Sequence, residues 1–114
     1  MNEKNDKKNL QDLQDYILTV CRKNGWDKAD SSEKFMLLSE EVGELAKAIR
    51  KYEKIFVEKG GNFSEKELKK SIAYELADIL SYLLDIANYY EINLENAFWE
   101  KEDINSKREW EKRE

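Results

Sequence analysis

Three observations predict an all-α domain. Apolar residues recur at steps of three and four through long stretches, the chain has no proline, and its glycines stand only at 25, 43, 60 and 61. Such steps keep residues on one face of a helix, whereas a half-buried strand alternates. Proline, which would break a helix, interrupts none of the runs. Charged residues make up 39% of the chain, against an average of about 25%, and apolar residues 40%. That balance suits helices with one apolar stripe and a charged remainder. At 114 residues one domain is expected, spanning 9–114 after a frayed polar tail over residues 1–8.

The elements follow in order. Leu10, Leu13, Ile17, Val20 and Cys21 predict a first helix from Asn9 to Lys23, stopped by Gly25. Trp26 to Asp30 reads as a loop, with Ser31 or Ser32 capping the next helix. The second helix carries Phe35, Leu38, Val42, Leu45, Ile49, Tyr52 and Phe56, a continuous stripe that ends before Gly60-Gly61. Ser64, with Glu67 three residues on, is a capping box. The third helix carries Leu68, Ile72, Leu76, Ile79, Leu83, Ile86 and Tyr90. Asn93 caps a fourth helix that runs through Lys101, Asn105 and Arg108. A four-helix bundle built around the second and third helices is the expected architecture, with its core completed by oligomerisation.

Composition narrows the chemistry. A net charge of −5 argues against a nucleic-acid polymer as partner, because such surfaces meet phosphates with a basic stripe. The chain has no histidine and a single cysteine, Cys21, which rules out a Cys/His zinc site and an intrachain disulfide. Catalysis must then use carboxylates, lysine, arginine, tyrosine or hydroxyls. No apolar run approaches the ~20 residues of a membrane span, and the N-terminus lacks the apolar segment of a signal peptide, so a cytoplasmic location is expected.

The acids are patterned. Glu41 and Glu44 lie one turn apart on the second helix, and Glu75 and Asp78 repeat that spacing on the third. Both pairs flank the apolar stripes, and in an antiparallel hairpin they would face each other. Four converging carboxylates repel, so some must protonate or a divalent cation must neutralise them. Mg²⁺ suits such oxygen ligands and bridges readily to phosphate, and Mn²⁺ would accept the same set. The bland alternative is two solvated helix faces. Gly43, mid-helix, calls for a packing or access explanation.

The segments Leu38-Ser39-Glu40-Glu41-Val42-Gly43-Glu44-Leu45 and Glu75-Leu76-Ala77-Asp78-Ile79-Leu80 resemble the signature of the MazG-type all-α nucleoside triphosphate pyrophosphohydrolases, E-E-x-x-E followed by E-x-x-D. The resemblance extends from Gln14 to Arg108. It implies Mg²⁺-dependent hydrolysis of a nucleoside triphosphate to the monophosphate and pyrophosphate. It carries metal ligation onto Glu41, Glu44, Glu75 and Asp78, and makes Glu40 a candidate to orient or deprotonate the attacking water. Lys101, Asn105 and Arg108 resemble the family's basic-polar segment and would grip phosphates, unless they form an ordinary solvated face. Trp26 would stack on a base or act as a lid over the core. The resemblance also implies a homodimer or homotetramer. Phosphoribosyl-ATP pyrophosphohydrolases share the signature but usually carry a histidine after the second motif, which is absent here. A non-catalytic helical scaffold is the alternative from another class.

Overall fold

The computed structural model describes residues 8–113, so the tail expected over residues 1–8 lies, except for Lys8, outside the described residues. Four α-helices account for most of the rest: α1 (Leu10–Asn24), α2 (Ser31–Tyr52), α3 (Glu65–Tyr89) and α4 (Leu94–Ser106), with a 3₁₀ turn at Trp26–Lys28. No strand occurs among the described residues.

Local chemistry sets each boundary. Asn9 caps α1 in a reciprocal box with Asp12, and Gly25 ends it at φ 74°, a left-handed conformation that glycine adopts without a Cβ penalty. Asp30, not Ser31 or Ser32, caps α2: its carboxylate accepts the Glu33 N–H at 2.9 Å. Ser31 is therefore already helical, the aspartate one residue earlier having taken the cap. Ser64 caps α3 by accepting the Glu67 N–H, and Asn93 caps α4.

Two helices stop earlier than their apolar spacing predicts. α2 ends at Tyr52, because Lys54 and Phe56 adopt positive φ (58° and 48°) and Arg50 Nη1 donates to the carbonyls of Ile55 and Phe56. Those carbonyls bond a side chain and turn the chain away, so Phe56 is not helical. α4 ends at Ser106, with the Arg108 N–H bonding the Asn105 carbonyl in a closing turn. Arg108 thus lies off the helix that carries Lys101 and Asn105.

α2 and α3 pack antiparallel along their length. Tyr52 Oη donates to Glu65 Oε1 (2.9 Å) at one end of the pair, and Lys34 meets Asp85 (2.9 Å) at the other. α1 packs on α3, and α4 on α1. Gln14, buried, locks the junction of α1 with the α3–α4 connection: its amide donates to Asn88 Oδ1 and the Ile92 carbonyl, while its Oε1 accepts the Leu94 N–H. Satisfying every polar atom makes such a buried amide tolerable.

The packing uses only part of the apolar stripes. Lys34, Leu38, Glu41, Leu45, Ala48 and Tyr52 are the covered positions of α2; Leu68, Ile72, Glu75, Ile79, Tyr82 and Ile86 are covered on α3. Glu41, Glu75 and Tyr82 therefore sit in the seam. Phe35 (63% exposed), Val42 (50%), Leu76 (52%) and Leu83 (42%) face outward instead. Among the described residues the fully buried apolar side chains are Cys21, Leu84 and Ala87.

Leu84, 2% exposed, anchors α3 in this small core. Leu84→Ala should lower unfolding free energy by about 2–5 kcal/mol in urea titrations. Phe56→Ala, at a residue 94% exposed, should change it by less than about 0.5 kcal/mol. Equal effects would contradict this placement of the core.

Candidate metal centre

The seam carries three carboxylates to one point. Glu41 from α2 and Glu75 and Asp78 from α3 each offer an oxygen, and these oxygens lie within 4.8 Å of one another. Helical spacing explains the pair on α3, since residues three apart project to the same side one turn apart. The antiparallel hairpin explains why Glu41 arrives opposite them. Glu41 and Glu75 are half-buried and Asp78 is exposed, so the cluster is walled on one side and open on the other. Glu44, one turn further along α2, is exposed and outside this group. Glu40 is also exposed, and its charge acts on Glu41. A Cβ at Gly43 would meet nothing within 4 Å, so no packing within the chain requires glycine there.

The electrostatics are those of acids forced together. A hydrogen bond in which Glu41 donates its proton to Glu75 pushes Glu41 up to about 7. Burial and the charges of Asp78, Glu75 and Glu40 push the same way. Tyr82, one turn beyond Asp78, is raised first by burial and then by Glu41 and Asp78. Glu75 Oε2 is buried with no hydrogen-bond partner. An orphaned carboxylate oxygen beside two more carboxylates, with no nitrogen or sulfur donor among them, is a ligand set for a hard divalent cation.

The cluster opens into a cavity of about 750 Å³. Glu41 and Asp78 lie at one end; Trp26, Lys34 and Asp85 lie at the other, with Tyr82 between. Seven residues of helix separate Asp78 from Asp85, about 10 Å. Trp26, predicted as a base platform or a lid, is 58% exposed on its 3₁₀ turn and lines this cavity. Lys101, Asn105 and Arg108 are not brought to it: no residue of α4 lines the cavity, and the Arg108 guanidinium lies 6.0 Å from the Trp110 ring. Sequence reasoning missed Lys34 and Asp85, because a lone lysine in so charged a chain reads as surface. Their one signal is register: Lys34 falls two turns before Glu41 on the same face, as Asp85 falls two turns after Asp78. Cys21, on α1 beside Asp85, is pushed up to about 11 by burial first and by Asp85 second, which makes it an unreactive thiol.

The raised Glu41 gives a signed pH dependence. Unfolded, it titrates near 4.5; folded, it holds its proton to about 7. Between those values the folded state binds more protons, so stability falls as pH rises. The contribution is complete below about 4.5 and gone above about 7. Urea titrations in chelator should show this decline, and Glu41→Gln should flatten it; a slope unchanged in the variant would contradict the coupling.

The comparisons with known proteins agree with this geometry. The profile of the MazG nucleotide pyrophosphohydrolase domain matches residues 31–108, a span containing all three clustered acids. The crystal structure of iMazG from Vibrio DAT 722 is similar at 38% identity, with 86% of this chain and 94% of that chain covered and a TM-score of 0.60. No curated protein matches the chain. The all-α hairpin with its seam of carboxylates, the domain match and the structural likeness together place this chain in the MazG nucleotide pyrophosphohydrolase family.

Proposed function

We propose that the chain hydrolyses a nucleoside triphosphate to its monophosphate and pyrophosphate with Mg²⁺, Mn²⁺ serving as substitute. The observation that carries this reading is the continuity of the cavity, which runs from the carboxylate cluster to the exposed indole of Trp26. With the acids at one end and the indole at the other, the cavity would take a nucleotide with its polyphosphate at the acids and its base at the tryptophan.

Each residue then has a role. Glu41, Glu75 and Asp78 hold the metal, with Glu44 as a further ligand from the next turn of α2. When bound, the ion supplies charge neutralisation for the polyphosphate and a more acidic water. Glu40, adjacent to the cluster and exposed, orients or deprotonates the attacking water. The face of Trp26 takes the base, a contact that favours any π-system. Lys101, Asn105 and Arg108 reach phosphates of a neighbouring subunit's site, since α4 lines no part of the cavity in its own chain.

A homodimer, or a dimer of such dimers, completes the core. The outward stripes of α2 and α3 support this reading, as does a radius of gyration of 17.6 Å. A compact domain of this length would have about 13 Å. Sedimentation at micromolar concentration should give at least twice the 13.6 kDa of one chain, and Leu83→Asp should shift it toward one chain. A wild-type protein sedimenting only as a single chain would overturn the assembly.

Acids clustered without metal should cost stability, and metal should restore it by mass action. Asp78→Asn and Glu75→Gln should leave the metal-free protein at least as stable as wild type, abolish the rise in Tm on adding Mn²⁺, and lower turnover by about a hundredfold or more. Glu58→Gln, in the exposed α2–α3 connection, should change neither. Wild-type turnover in Asp78→Asn would overturn the proposal.

A further inference from the structure

Lys34 is 2% exposed, whereas the other basic side chains among the described residues face water or are half covered. Burying an ammonium carries a desolvation cost of several kcal/mol, met only by close and complete pairing. The pairing is complete. Lys34 Nζ donates to both carboxylate oxygens of Asp85, at 2.9 and 3.0 Å, and to the Trp26 carbonyl at 3.1 Å. The carboxylate meets the ammonium from one side and the carbonyl from another, and Nζ lies over the Tyr89 ring, 5.8 Å from its centroid. At 2% exposure the ammonium has no open face for a phosphate, so Lys34 is not a substrate ligand.

What it does hold is the turn. The Trp26 carbonyl accepts the Ala29 N–H at 3.2 Å as well as the Lys34 ammonium, so both acceptor positions are used. Lys34 is itself fixed in the first turn of α2, its N–H bonding the Asp30 carbonyl at 3.1 Å. Asp85 is on α3, two turns from the metal-site aspartate. The indole of Trp26, by contrast, stacks on no other ring among the described residues. Its placement depends on its backbone, and its backbone depends on Lys34. An apolar pair at 34 and 85 could pack the same space at no desolvation cost, but it could not hold a carbonyl.

We infer that Lys34 and Asp85 are positioning residues: their buried ion pair ties the Trp26 turn to α3 and so fixes the indole at the base end of the cavity. The inference rests on the nucleotide reading above for its consequence, but its geometry can be tested without turnover.

Trp99→Phe and Trp110→Phe leave Trp26 as the only indole of the three. In that background the doubly neutral variant Lys34→Met/Asp85→Leu leaves no charge unpaired. It should raise acrylamide quenching of Trp26 and lower its fluorescence anisotropy. KM for nucleoside triphosphates should rise about tenfold with kcat within about twofold, and adding Trp26→Ala should raise KM no further, because all three changes remove one contact. Lys34→Gln/Asp85→Asn, which also leaves no charge unpaired and keeps a polar pair in the same space, should move both readouts the same way by less, and serves if the first double variant does not fold. Unchanged quenching in the variants overturns the inference, as do an unchanged KM and KM effects that multiply with Trp26→Ala. A wild type that turns over no nucleotide would instead sink the nucleotide reading, and the quenching would still decide the role of the pair.

Discussion

The α2–α3 seam is where carboxylates occupy positions that a helical hairpin would ordinarily fill with leucine. Glu41 and Glu75 are half-buried between the two longest helices, close enough that Glu75 holds the Glu41 carboxyl well above its ordinary range. Like charges in partial burial repel, and the cost falls on the metal-free fold. A cation would relieve that repulsion and collect the oxygens in one act, so the geometry that strains the bare cluster suits the metal proposed above.

The arrangement of the apolar residues follows from this choice. A helix has room for one inward stripe of about two positions per turn. With Glu41 and Lys34 on that stripe of α2, and Glu75 and Tyr82 on that of α3, half of the apolar residues are displaced outward. Phe35, Val42, Leu76 and Leu83 are exposed for that reason. A chain of this kind has two apolar demands, one inside the hairpin and one on its outer face, and the second is the one the proposed assembly would meet.

Two other polar burials are of another type. The Gln14 amide and the Lys34–Asp85 pair are fully hydrogen-bonded, and each joins segments distant in sequence: α1 to the α3–α4 connection, and the Trp26 turn to α3. Satisfied buried polar groups specify geometry more than they stabilise it. Both stand at the open end of the hairpin, where α2 begins and α3 finishes, and the unsatisfied Glu75 Oε2 stands in its middle. A fixed end beside an electrostatically frustrated centre would suit the metal site proposed above.

The sequence by itself determined the helices, their caps at Ser64 and Asn93, the stop at Gly25 and the two acidic motifs, because all of these depend on residues within about four positions of one another. It also singled out Trp26, which lines the cavity that the acids open into. Where local alternatives competed, the outcome was a matter of a single hydrogen bond: Asp30 in place of Ser31, and Arg50 turning the chain before Phe56. Tertiary structure alone decided which half of each apolar stripe is covered, since 3-4 spacing is satisfied equally by two adjacent faces of one helix. It decided that Glu41 joins Glu75 and Asp78 while Glu44 stands apart, a matter of rotation about the α2 axis. It decided, too, that Lys34 is an interior residue, because its partners lie eight and fifty-one positions away and no local pattern marks a lysine for burial.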